Sequence, residues 1–342
     1  MSSAGRILPI ITTAHCPSAA NNNYWPEMYT NQSIVDARKP HPYSDTATPK
    51  VFGNVSPLDP QLFSRVNEFA AELVKGERSG KYSPIEVAQW LEDFADTATR
   101  QLTQAEAETS PEFRRLAIDV SVEAGLGRFF GAKFRSAVLY AIYEQTHDRT
   151  ALEEALKQYR RARESWAEIA ERTKGVYVSD VTIGELKWLR GHWIDRLPAI
   201  DDDITDIEKR LDSAQAANDP VARAAVAEAL GRPRRTPAAC RHTPPARFEP
   251  KQALALEIAV ERKLVSARLW YRHVNQAERY ETAEMQAAGN RYWATIPAAY
   301  TDSPYPLVYY FELKEAADKV WLHPGFGPEL AHQPYFVVRH RA

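Results

Sequence analysis

Arg232-Pro-Arg-Arg-Thr-Pro-Ala-Ala-Cys-Arg-His-Thr-Pro-Pro245 divides the chain into two periodicities. Its prolines remove backbone donors and fix φ, so neither a helix nor a central strand can run through it, and it reads as a linker. Upstream, apolar residues recur at helical spacing. Downstream, they alternate. The expected architecture is therefore multidomain α and β: a helical bundle over 56–231, the linker over 232–245, and an immunoglobulin- or fibronectin-like β-sandwich over 246–342. Residues 1–55, rich in aromatics, Asn and Pro, read as an extended N-terminal segment.

Before the linker the helix signals are strong. Leu62, Phe63, Val66, Phe69, Ala70, Leu73 and Val74 follow an i, i+3, i+4, i+7 pattern that Gly76 can close. Ser83-Pro-Ile-Glu86 is a capping box with Pro at the first helical position. Ser110-Pro-Glu112 opens a third helix, apolar around most of its circumference from Ala124 to Tyr143, which marks it as central. Gly125, Gly127 and Gly131 in that helix imply close backbone approach. Thr150-Ala-Leu-Glu153 reads as a further capping box and Gly175 as the end of that helix. Two more helices, near 199–217 and 220–231, bring the bundle to six. Asp201-Asp-Asp203 lacks the glycine turn and distal Glu of a calcium loop, and reads as acidic residues favouring a helix N-terminus. Trp188, His192 and Trp193 read as hydrophobic plugs over the bundle.

After the linker the period becomes two. Leu254, Leu256, Ile258 and Val260 alternate with their neighbours. Val265, Ala267, Leu269 and Tyr271 share one predicted face. Ala288-Gly-Asn290 is a hairpin signal between strands at 281–287 and 291–296. Further strands are predicted at 305–313, 319–323 and 335–339. Tyr292, Trp293, Tyr305, Tyr309, Tyr310 and Trp321 could form a carbohydrate-binding strip, although alternation sends about half of them into the core.

The N-terminal segment carries the candidate site. Arg6-Ile-Leu-Pro-Ile-Ile-Thr-Thr-Ala-His15 reads as a β-strand, and a strand with no partners nearby suggests the remnant of an upstream β/α barrel. It empties into a loop containing Asn21-Asn-Asn-Tyr-Trp-Pro-Glu-Met-Tyr29. Aromatic rings cover the apolar face of a pyranose, while amides and a carboxylate bond its hydroxyls. Asn23, Tyr24, Trp25 and Tyr29 are therefore the candidate substrate-binding residues. Glu27 is the candidate for a catalytic carboxylate, one of the two such groups that glycoside hydrolysis usually needs.

The rest of the composition excludes more than it suggests. The formal charge of −2 creates no field that would attract nucleic acid, and no apolar run approaches the length that spans a bilayer. The first residues lack a basic segment followed by an apolar core, so no signal peptide is read and localisation stays open. Cys16 and Cys240 show no metal or disulfide spacing, and no phosphate loop, zinc motif or nucleophile elbow is present, so no cofactor and no metal are expected.

Ile7–Asn31 (ILPIITTAHCPSAANNNYWPEMYTN), Tyr82–Leu91 (YSPIEVAQWL) and Asn290–Gln333 carry a resemblance. With them the chain resembles the C-terminal region of large bacterial glycoside-hydrolase-like proteins, in which a barrel precedes a helical domain, as in the α-glucuronidase and β-hexosaminidase groups. The resemblance implies a carbohydrate partner, an upstream catalytic domain, and an accessory or truncated C-terminal portion that is not catalytic by itself. The alternative is a non-enzymatic interaction module that binds protein or polysaccharide.

Overall fold

Ser83 and Ser110 each begin a helix as their neighbours require. The Ser83 hydroxyl accepts from the Glu86 N–H while the Glu86 carboxylate returns to the Ser83 N–H, which starts α3 (Pro84–Gln104). Ser110 accepts from the Phe113 N–H at the start of α4 (Pro111–Thr146). The computed structural model describes residues 3–15, 33–35, 51–105, 110–181, 190–214, 219–235, 239–275, 277–327, 330 and 332–341. They form two units: Met1–Lys75 with Tyr82–Pro233, and Gly76–Lys81 with Arg234–Ala342.

The first unit is the helical bundle. Besides α3 and α4 it contains α1 (Ile7–Ala14), α2 (Val66–Lys75), α5 (Arg149–Thr173), α6 (Leu197–Ser213) and α7 (Pro220–Leu230). The long α4 is central and packs against α1, α2, α3, α5 and α7. Its glycines are sites of close approach. A Cβ on Gly125 would lie 2.5 Å from Ile169 Cγ1, and one on Gly127 would lie 3.1 Å from the Leu91 carbonyl. Arg135, buried in the same helix, bonds Glu92 of α3 at 2.6 Å and the Ala229 and Gly231 carbonyls at the end of α7.

The helical unit departs from the sequence expectation at three places. Residues 6–15 are not a strand but α1, preceded by a 3-10 turn at Ala4–Arg6. Ile and Thr favour strands, but the buried positions Ile7, Ile11 and Ala14 have helical spacing, and Pro9 occupies a first-turn position that needs no donor. The Thr12 and Thr13 hydroxyls bond back to the Leu8 and Pro9 carbonyls. A helix satisfies its own backbone, so this stretch requires no partner strands. Second, α5 is capped by Asp148, whose carboxylate accepts from the Ala151 N–H, and Thr150 already lies inside the helix. Third, α6 begins at Leu197, so Asp201–Asp203 lie beyond its first turn; Asp203 is buried and Asp201 pairs with Arg163 at 2.9 Å.

The second unit is a two-sheet sandwich. Its strands are β1 (Cys240–Arg241), β2 (Arg247–Phe248), β3 (Leu254–Val260), β4 (Ser266–His273), β5 (Glu281–Glu284), β6 (Gln286–Ala288), β7 (Arg291–Ile296), β8 (Leu307–Ala316), β9 (Lys319–His323) and β10 (Phe336–His340); a short α8 (Ala298–Thr301) lies between β7 and β8. One sheet has the order β1-β3-β7-β6 and the other β2-β10-β8-β4-β5, with β9 also paired to β8. All ladders are antiparallel except β2 with β10. Gly289, at φ +62°, makes the predicted turn between β6 and β7. Leu256, Ile258, Leu269, Tyr309, Phe311 and Leu313 lie in the core between the sheets. Val265 departs from the predicted face: it precedes β4 and is 72% exposed.

The six aromatics do not form one strip. Tyr292, Tyr309 and Trp321 are core residues, and Tyr310 is fully buried on the other face of β8, stacked with Trp270 at 5.8 Å. Tyr305 is exposed in the approach to β8, and Trp293 stands on the outer face of β7.

Candidate functional site

Asn23, Tyr24, Trp25, Glu27 and Tyr29 lie outside the described residues, as does Trp188. The structure describes the residues that flank them in sequence: His15 before and Ser33–Val35 after. Both sides bond to the peptide groups of one residue. The His15 Nε2–H donates to the Phe52 carbonyl at 3.1 Å, and the Phe52 N–H donates to the Ser33 carbonyl at 2.8 Å. Ser33 also bridges Val51, and the Leu58 N–H reaches the Thr13 carbonyl. His15 and Ser33 are thus both tied to the same phenylalanine.

Three helices place buried polar groups against Ile34, Val35 and Phe52. Asp203 of α6 accepts the Ile34 N–H at 2.8 Å and the Val35 N–H at 3.3 Å. The Tyr159 hydroxyl of α5 also bonds this carboxylate. Lys133 of α4 is fully buried, its ammonium 4.7 Å from the Phe52 ring centroid and 5.6 Å from that of Tyr159. Burial pushes the Lys133 amine down to about 7, against the opposing pull of Asp203. Burial likewise raises the Asp203 carboxyl above its ordinary range, while the Lys133 charge and the Ile34 N–H hold it down. His15 stacks on Phe52 at 3.7 Å and is pushed down to about 3, chiefly by burial, so its ring is neutral. These groups are committed to one another: the pair supplies mutual charge compensation, and the imidazole acts as a hydrogen-bond donor.

Beside Ile34 and Val35 lies a depression of about 330 Å³, lined further by Val51, Asn54, Asn67, Tyr140, Glu144 and Gln145. The Asn67 amide donates to Asn54 Oδ1 at 2.6 Å, and Glu144 pairs with Arg210 at 2.8 Å. Apolar walls with three amides, a phenol and a carboxylate suit a polyhydroxylated ligand. Among the described residues, no group of three or more His, Cys, Asp or Glu could hold a metal ion.

No known protein family matches the chain. No curated protein matches it either. Among solved structures, it is similar to a GH138 enzyme targeting pectin rhamnogalacturonan II, with a TM-score of 0.48 and 14% identity. The match covers 62% of this chain and 31% of that one, so the chain spans about a third of the length of the protein it matches.

Sequence reasoning missed His15, Lys133 and Asp203 as one group. A signal did exist for Lys133, which is a cation inside the all-round apolar run of α4, where burial demands a partner. Two further histidines are engaged structurally. His273 bonds Glu278 at 2.7 Å and the Tyr300 carbonyl at 3.0 Å, and His192 caps the 3-10 turn at Trp193–Arg196. Trp193 is buried, its carbonyl accepting from the Trp166 indole, as a plug over the bundle should be.

Proposed function

We propose that this chain is an accessory part of a glycoside-hydrolase-like protein, contacting carbohydrate without completing catalysis by itself. Its partner would be a polysaccharide or oligosaccharide, with an upstream catalytic domain supplying the chemistry. The observation that carries this reading is the depression of about 330 Å³ beside Ile34 and Val35, whose apolar walls carry amides, a phenol and a carboxylate. Asn54, Asn67, Tyr140, Glu144 and Gln145 offer there the acceptors and donors that sugar hydroxyls need, and Trp25 and Tyr24 add rings for a pyranose face. Glu27 is the one carboxylate of that segment, and a single carboxylate serves hydrogen bonding better than paired acid–base hydrolysis.

The test is binding to a glycan array by the full chain and by Trp25→Ala and Asn54→Ala. Both substitutions should lower the signal on the same glycans by about tenfold in affinity, the loss expected for one removed stacking or bidentate contact. Binding unchanged in both variants would remove the segment and the depression from consideration.

A further inference from the structure

The outer face of the β1-β3-β7-β6 sheet holds a row that core packing does not explain. Glu257 of β3, Trp293 of β7 and Gln286 of β6 are register partners across three adjacent strands, so their side chains share one face. Their strand neighbours Leu256, Ile258, Tyr292 and Ala294 point into the core, which sets the row on the opposite side. Trp293 is partly exposed, while Glu257 and Gln286 are exposed. Around them the surface is low: Ala255, Ala288 and Thr295 are small and exposed. The indole thus stands between a carboxylate and an amide on the solvent side of the sheet, where its face is open to a flat ligand.

The charges of this face are balanced. Glu257 pairs with Arg291 at 3.1 Å and Arg241 with Glu261 at 3.8 Å. These four residues, with Asn290, line a depression of about 700 Å³ next to the row. A paired carboxylate and guanidinium offer acceptors and donors side by side without net charge. An anionic or cationic partner would gain nothing from such a surface, whereas a neutral polyol would find both halves of its hydrogen bonding.

We propose that this face binds a neutral polysaccharide, one pyranose ring stacked on Trp293 with its hydroxyls on Glu257 and Gln286 and the chain continuing into the depression. Only residues of the sandwich are involved, so the inference does not rest on the N-terminal segment.

Affinity electrophoresis of the full chain in gels containing hydroxyethyl cellulose, galactomannan or arabinoxylan tests it, with polygalacturonate as the anionic comparison. The chain should be retarded in at least one neutral gel. Trp293→Ala should weaken that retardation about tenfold in apparent Kd. Glu257→Gln, which keeps the indole and its packing, should weaken it severalfold, and it decides the matter if Trp293→Ala does not fold. Retardation undiminished in Glu257→Gln and in a folded Trp293→Ala overturns the proposal. So does an unretarded wild-type chain, or retardation by polygalacturonate alone. A concentration-dependent dimer that Trp293→Ala abolishes, with no retardation in any gel, would give the face to a second copy of the chain instead. Trp25→Ala run beside these separates the two sites, because it should leave a Trp293-dependent shift intact.

Discussion

His15 is a titratable group whose burial has a measurable consequence. Its folded value is pushed down to about 3, whereas an exposed imidazole titrates near 6.5. As pH falls through 6.5 the unfolded chain takes up a proton that the folded chain refuses. His15 therefore lowers stability progressively from about pH 6.5 down to about 3, by roughly 1.4 kcal/mol per pH unit where the difference is full. His15→Gln should remove that slope while its amide can still donate to the Phe52 carbonyl. Urea titrations at a series of pH values, comparing wild type with His15→Gln, measure it. Parallel curves between pH 6 and 4 would mean that the imidazole is not buried neutral. The same residue explains the choice of neighbours. A charged imidazolium beside the Lys133 ammonium would add repulsion to desolvation, so the neutral form is favoured twice.

At the scale of elements, α4 sets propensity against packing. Gly125→Ala should gain about 1 kcal/mol of helix propensity. The new Cβ would meet Ile169 Cγ1 at 2.5 Å and force that buried side chain to shift, at a cost of about 1–3 kcal/mol. Net destabilisation is expected, read as a lower urea midpoint at unchanged m-value. Gly5→Ala is the contrast: nothing lies within 4 Å of its would-be Cβ, so the midpoint should hold or rise. A stabilised Gly125→Ala would show that α4 and α5 are packed less closely than described. These elements also show what the sequence could reveal. The helices α3 and α4 were legible because a stripe of apolar residues and a cap agree at their starts, Ser83 and Ser110. The longer strands were legible because alternation and the Gly289 turn agree. The helix α1 was hidden because β-branched propensity conflicts with the spacing of Ile7, Ile11 and Ala14. Asp203 was misread because α6 starts four residues before Asp201, a boundary that the sequence leaves open by a turn. The strands β1 and β2 are two residues each, too short to show a period.

For the whole molecule, the decisive question is where the sandwich begins. The linker composition places its start at residue 246, but the folded unit starts at Arg234 and also takes in Gly76–Lys81. The reason is chemical. Cys240 and Arg241 pair with Val260 and Ala259 along the edge of β3. His242 then bonds the Glu257 carbonyl at 2.7 Å and the Tyr309 hydroxyl at 2.8 Å, its ring edge-on to Phe311 and Phe336 in the core. Arg235 donates to the Gly80 and Lys81 carbonyls, and the Arg78 N–H to the Ala317 carbonyl. A fragment beginning at 246 would lose His242 and leave the buried Tyr309 hydroxyl without its acceptor, a loss of about 1–3 kcal/mol. A fragment of 234–342 keeps β1 and the imidazole and should melt cooperatively. For a sandwich of this size, 1 kcal/mol corresponds to about 4–8 °C, so the shorter fragment should melt roughly 10 °C lower. His242→Ala in the longer fragment should reproduce most of that difference, because it removes the same two hydrogen bonds while retaining β1. Equal melting temperatures for the two fragments would show that the segment before residue 246 is merely a tether, and that the sandwich closes its core without it.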